Sequence, residues 1–172
     1  QRRWLDDRSV AQIYVSGCSG DVTAGKFNDG SEEKRALLAD RVYQAMVRAW
    51  DATRKEKVRE VGFQNVSFSL NFNDHEKFTR QALTTTLENR EADVEQRIMA
   101  AMGLSSLDRI AAGREIDMPC LTLGEARIVL FPGETFVGYQ LMAQQLRPDN
   151  FVMSIGFGEC WPGYIPTRRA FS

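Results

Sequence analysis

The stretch SGCSGDVTAGKFNDG, Ser16 to Gly30, decides how the rest of the chain is read. It contains Gly20-Asp21-Val22-Thr23-Ala24-Gly25-Lys26-Phe27, which is G-x-x-x-x-G-K followed by Phe. A phosphate-binding loop needs a strand before it, backbone N–H groups around the phosphate, and a Ser or Thr after the lysine for magnesium. Residues 10–16, VAQIYVS, read as a largely buried strand, so the first requirement is met. Phe27 removes the hydroxyl, and Asn28-Asp29-Gly30 is a turn that keeps the next helix from starting on Lys26. No later strand ends in a convincing magnesium-binding Asp. The stretch is expected to bind no nucleotide, with Lys26 pointing to solvent or to a carboxylate.

Downstream of this turn, strands and helices alternate. Ser31 is an N-cap followed by the acidic first-turn residues Glu32 and Glu33. Leu38, Val42, Met46, Ala49 and Trp50 then recur every three or four residues, predicting an amphipathic helix to about Thr53 with one core face. Val66, Phe68, Leu70 and Phe72 alternate with polar neighbours as in a half-buried strand. Residues 73–89 are ambiguous, and Thr84-Thr85-Thr86 argues against a long helix there. Val94, Ile98 and Met102 predict a helix over 90–102, with a second short one over 106–112 stopped by Gly113. Residues 120–123 and 126–131 read as two strands joined by a tight turn at Gly124-Glu125. Pro132-Gly133-Glu134 closes the second and opens a helix to Leu146, and residues 151–155 form a last buried strand before an aromatic loop. The predicted fold is α/β, a layered domain with a mixed β-sheet flanked by helices, spanning residues 1–172 as one domain.

Composition narrows the function. The chain has 172 residues, 43% of them hydrophobic and 26% charged, which suits one soluble globular domain. With 22 basic against 23 acidic residues, no net field favours nucleic acid or an anionic membrane. No apolar run approaches the roughly 20 residues that span a bilayer, and no signal segment is visible. Cys18, Cys120 and Cys160 are too scattered for a disulfide framework or a zinc knuckle and read as buried free thiols. The chain opens Gln1-Arg2-Arg3 without Met and stops soon after an aromatic run, so it reads as a piece of a longer protein.

Three polar groups each sit at the carboxyl end of a predicted strand: Asp21 with Thr23, Glu134, and Glu159 with Tyr164. Strand C-termini border the ligand crevice of open α/β sheets, so these loops are expected to converge on one site. Each also has a purely structural reading. Asp21 suits a turn-amide acceptor, Glu134 a helix first-turn carboxylate, and Tyr164 a buried aromatic with one hydrogen bond.

Taken in order, these segments resemble the neutral ceramidases, most closely the bacterial neutral/alkaline non-lysosomal ceramidase-like proteins. Gly20-Asp21-Val22-Thr23 resembles that family's glycine-Asp-Val-Ser turn. Phe131-Pro132-Gly133-Glu134-Thr135-Phe136 is similar to its Pro-Gly-Glu segment, and Gly163-Tyr164-Ile165-Pro166-Thr167 to a later tyrosine segment. The resemblance covers most of this chain but only the later part of the family's catalytic domain. It implies a zinc-dependent amidohydrolase acting on N-acyl amides such as ceramide, in a secreted or periplasmic parent protein. It implies Glu134 and Tyr164 as zinc ligands, Thr23 and Asp21 as catalytic residues, and backbone N–H groups around Gly20 and Val22 as oxyanion donors. Two positions depart from the pattern. Thr23 stands where the family has serine, and the family's two zinc-binding histidines lie upstream, where this chain has none. The sole histidine, His75, reads as a surface or loop residue, so the missing ligands are assigned to a preceding segment and the 172-residue chain alone is expected to be inactive. A second reading is a non-catalytic relative that keeps the fold as a binding or structural module.

Overall fold

The computed structural model describes residues 13–23, 25–159 and 163–171. Helix α1 spans Glu32–Asp51. It is followed by strand β1 (Val61–Phe68), a 3-10 turn (Glu76–Phe78), and helices α2 (Arg80–Glu88) and α3 (Val94–Ala111). Then come β2 (Ile116–Leu123), β3 (Ala126–Leu130), the two-residue β4 (Glu134–Thr135), α4 (Val137–Leu146), β5 (Phe151–Ile155) and β6 (Tyr164–Ile165). A four-stranded mixed sheet runs in the order β1-β2-β3-β5, antiparallel except for the parallel β3–β5 pair. β4 and β6 form a separate parallel pair. Helices and a mixed sheet together make this an α/β fold.

The hairpin β2–β3 turns at Gly124, whose φ of 56° is the left-handed conformation a tight turn requires. Pro119 lies inside β2, paired with Asn65 of β1, but the β3 ladder begins only at Cys120. Pro119 is thus flanked on one side only, where a missing N–H is tolerated. β1 starts five residues before the alternating stretch Val66–Phe72 suggested. Gly62 and Gln64 break the alternation, but pairing with β2 supplies the ladder bonds that local pattern did not announce.

α2 contains Thr84, Thr85 and Thr86 despite their β-branching. The Thr79 hydroxyl accepts from Ala82 N–H as its N-cap, and the hydroxyls of Thr85 and Thr86 donate to the carbonyls of Gln81 and Ala82 one turn back. α3 runs unbroken through Gly103 where two shorter helices were expected. Gly103 is buried because α2 packs there: a Cβ would sit 3.0 Å from a methyl of Leu83. Leu83, Ala100 and Gly103 form the centre of this helix pair.

Two expectations are corrected. α1 begins on its Ser31 cap, whose hydroxyl accepts from Lys34 N–H, but it has no buried residue and so no core face. Val42 and Met46 are exposed, while Lys55 stacks on the ring of Trp50. The strand expected over 10–16 falls partly outside the described residues, and 13–16 are not strand, with Ile13 and Tyr14 about as exposed as a free side chain (89% and 90%). The Ser16 carbonyl accepts from Gly156 N–H at 2.8 Å beyond the end of β5, and the Tyr14 and Ser16 hydroxyls lie 3.4 Å apart. A hydrophobic sequence without ladder partners does not become a strand.

Candidate functional site

The centre of the site is Pro132-Gly133-Glu134-Thr135-Phe136, between β3 and α4. Gly133 has φ 53°, a turn that a side chain would strain, and it redirects the chain out of the main sheet. Thr135, only 2% exposed, anchors the turn by donating its hydroxyl to the Pro132 carbonyl at 2.6 Å. β4 then pairs with β6: Glu134 N–H donates to the Gly163 carbonyl at 2.9 Å and Phe136 N–H to that of Ile165 at 3.1 Å. The register makes Glu134 and Tyr164 direct partners across this ladder.

The two residues face each other across the ladder, and the hydrogen-bonding pull of the Glu134 carboxylate on the phenol, reinforced by its charge, raises Tyr164 above its ordinary value. Glu134 lies on a strand, so its reading as a helix first-turn carboxylate is set aside; α4 starts three residues later. Tyr164 is 65% exposed, not a buried aromatic. Because its pKa is higher folded than unfolded, the pair stabilises the fold fully below pH 10.0, the ordinary value, and that contribution is lost as pH rises through the folded value. Absorbance titration of tyrosinate should resolve one late-titrating tyrosine in the native chain. In Glu134→Gln that tyrosine should return toward its ordinary value; an unchanged titration would mean the pair is not formed in solution.

The glycine-rich turn docks on the same segment. Gly20 N–H donates to the Thr135 carbonyl at 3.1 Å, and the Asp21 carboxylate accepts from Val137 N–H at 2.7 Å. Asp21 therefore caps α4 from 116 residues away, satisfying an orphan amide of its first turn. The approach at Gly20 is so close that a Cβ would lie 2.3 Å from the Glu134 carbonyl oxygen. A third segment closes the cluster from the other side. Phe157 N–H donates to the Gly133 carbonyl at 3.0 Å and Gly158 N–H to that of Phe131 at 2.7 Å. Tyr139 of α4 donates its hydroxyl to the Pro166 carbonyl at 3.2 Å, fixing the chain after β6.

Several expected roles change with this geometry. The amides of Gly20 and Val22 are not open oxyanion donors, since the first serves Thr135 and the second donates to the Ser19 carbonyl at 3.0 Å. Asp21 is committed to the helix cap. Thr23 lies in an exposed turn, its hydroxyl accepting a long 3.4 Å bond from Gly25 N–H. Glu159 does not join Tyr164. It pairs with Arg109 of α3 at 3.0 Å and accepts from Asp117 N–H at 2.9 Å, at the start of β2. Arg109 also donates to the Glu115 carbonyl, so this is a brace between α3, β2 and the aromatic loop.

Lys26 stacks on the Phe27 ring, 5.3 Å from its centroid. The 3-10 turn at Glu76 is capped by exposed His75, whose Nδ1 accepts from Lys77 N–H at 3.3 Å. His75 borders an open hollow of about 520 Å³ floored by Phe72, Phe78, Leu107 and Ile110, on elements other than those of the site. Cys18 is buried, and desolvation pushes its thiol up to about 11, as an inert core thiol; Cys120 is also free, and Cys160 lies outside the described residues. Among the described residues, no group of three or more His, Cys, Asp and Glu gathers at one point. No helix among them is long and apolar enough to cross a membrane.

Three contributors were not singled out from sequence: Thr135, the Val137 amide and Phe157. A G-F-G triplet signals a sharp turn, which is the one hint that Phe157 carried. Thr135 and Val137 gain their roles from partners distant in sequence. No family model, curated protein or solved structure matches this chain.

Proposed function

We propose that this chain carries the later part of a zinc-dependent amidohydrolase site, similar to that of the neutral ceramidases, cleaving an N-acyl amide. The observation that carries the reading is the Glu134–Tyr164 pair, with the glycine-Asp-Val-Thr turn docked on the residue beside it. A carboxylate and a phenol side by side, one of them well exposed, are a donor set that suits zinc, and they would hold it here. Two ligands are fewer than the three a catalytic site uses, so the reading assigns histidines to a preceding segment of the parent protein. The chemistry supplied by bound zinc is Lewis-acid polarisation of the amide carbonyl.

The chain's own residues do the rest. The Tyr164 phenol must lose its proton before its oxygen can serve as a ligand, so zinc affinity should rise with pH. Asp21, through the α4 cap, holds the turn against Glu134, and the Thr23 hydroxyl is the group on that turn able to attack or orient at the carbonyl. The Gly20 and Val22 amides being spent, oxyanion stabilisation falls to the metal or to groups outside these residues. The same reading gives the parent protein an exported location, secreted or periplasmic.

The test is hydrolysis of an N-acyl amide by the full-length protein, before and after a zinc chelator. Activity should disappear with chelation and return with added zinc, and Thr23→Ala should lower the rate more than about a hundredfold if its hydroxyl attacks. An unchanged rate in Thr23→Ala makes Thr23 a turn residue only. The 172-residue chain alone should bind zinc weakly and hydrolyse nothing; tight stoichiometric binding would bring His75 into the ligand set.

A second reading, a non-catalytic relative that binds through the same fold, is favoured by one observation. Thr23 replaces the family's serine and spends its hydroxyl on its own turn. Absence of any amide hydrolysis by a zinc-loaded full-length protein would select it.

A further inference from the structure

The register of the main sheet sorts its side chains into two faces, because directly paired residues point the same way and successive ones point opposite ways. One row runs Phe63, Leu121, Ile128, Met153 across β1, β2, β3 and β5, and the next runs Val61, Leu123, Ala126, Phe151. Both rows are wholly apolar. The face ends in polar groups at Asn65 and at Ser67, whose hydroxyl donates to Asp117 across the ladder. The opposite face carries Gln64, Thr122, Arg127 and Ser154.

Packing is the reverse of what this polarity calls for. A sheet covered on one side turns its apolar face to the core and its polar face to water. Here β5 buries Val152 and Ser154, on the face that bears the polar groups, while Phe151 is 69% exposed. No residue of the two apolar rows is buried, and Val61 and Phe63 are 71% and 70% exposed. Among the described residues no helix covers these rows. α2 packs on α3, α1 has no buried residue, and α4 packs on β5 without burying Phe151 or Met153. Single exposed apolar residues are ordinary, but a contiguous apolar face marks an interaction surface.

We propose that this face is the interface of a homodimer, packed sheet on sheet against the same face of a second copy. Two features commit it to a copy of itself. The rows contain no charge and no hydrogen-bonding side chain, so the face meets itself without repulsion or an unpaired polar group, as an isologous interface requires. The area also suits a stable pair. Phe63, Phe151 and Val61 alone present roughly 400 Å², at about 200 Å² for a whole phenylalanine side chain. The half-buried remainder brings the face to about 600 Å², the lower end of what each partner buries in a standard interface. Sheets packed face to face, about 10 Å apart, interdigitate rows of this kind. The proposal is independent of the amidohydrolase reading, because Glu134 and Tyr164 lie in the separate β4–β6 pair.

Sedimentation velocity of the full-length protein, up to about 100 µM, should show a dimer with a micromolar or tighter dissociation constant. Phe63→Lys and Phe151→Lys, on the two outer strands of the sheet, should each raise that constant more than about a hundredfold, because the lysine would be buried unpaired. Both side chains are exposed in the single chain, so the far-UV circular dichroism should be kept. Val66→Lys, on the other face of β1 and 58% exposed, should leave the dimer intact. Hydroxyl-radical footprinting of the wild type needs no variant: Phe63 and Phe151 should be protected at high concentration and reactive on dilution.

A wild type that stays monomeric overturns the proposal, and footprinting of that monomer names the true cover. Protection at every concentration means another part of the parent protein, and protection gained only with phosphatidylcholine vesicles means a lipid surface. A dimer in which Phe63 and Phe151 stay reactive also overturns it, as does one indifferent to both lysines or weakened equally by Val66→Lys.

Discussion

Glu134→Gln in the full-length protein should lower N-acyl amide hydrolysis by about a thousandfold, equivalent to about 4 kcal/mol of transition-state stabilisation. The substitution keeps the side chain's size and its place across from Tyr164, but replaces the anionic donor by a neutral amide. Under the proposed reading it removes a zinc ligand and the acceptor that orients the phenol together. Two measurements separate these effects. Zinc content should fall in Glu134→Gln, whereas Tyr164→Phe, which keeps the carboxylate, should retain part of the metal and lose less activity. Backbone pairing of β4 with β6 does not involve either side chain, so neither variant should unfold. A Glu134→Gln protein with wild-type rate and zinc content would remove Glu134 from the site and end the amidohydrolase proposal.

Gly20→Ala should be the most destabilising single-methyl change near the site. The added Cβ would lie 2.3 Å from the Glu134 carbonyl oxygen, 3.1 Å from its carbon, and 2.9 Å from the Phe136 ring. Two of those atoms are backbone in the β4–β6 ladder and have little freedom to move. The turn must lift, which breaks the Gly20–Thr135 bond and the Asp21 cap on α4. Overpacking of this kind costs about 1–3 kcal/mol, and a lost cap about 1 kcal/mol more, so a loss near 3 kcal/mol is expected. Urea unfolding should show it against Gly62→Ala, where the new Cβ would meet Thr122 at an ordinary 3.5 Å and stability should change by less than about 1 kcal/mol. Equal midpoints for the two variants would mean the turn is not docked in solution. Asp21→Ala, which removes the cap without a clash, should fall between them.

The α/β class was legible because periodicity is a local property. α1 starts on its Ser31 cap, β5 occupies the predicted 151–155, and the β2–β3 hairpin turns at Gly124. The candidate site was legible in its residues but not in their employment. Glu134 and Tyr164 are adjacent, whereas Glu159, five residues before Tyr164, is drawn to Arg109 instead. Nothing in the spacing of Glu159 announces an arginine 50 residues earlier.

What this sequence determined by itself is what nearest neighbours along the chain decide: where helices begin, where glycines allow turns, and which stretches are apolar. Only the tertiary structure decided which apolar stretches find a partner. Residues 13–16 and the face of α1 have the pattern of buried elements, yet none of these residues is fully buried, because burial requires a second surface that no local pattern supplies. The same reason makes Gly20, expected as an oxyanion donor, and Asp21, expected as a catalytic group, the anchors of a turn. Their amide and carboxylate were free to be anything until Thr135 and Val137, more than a hundred residues away, arrived within hydrogen-bonding distance and claimed them.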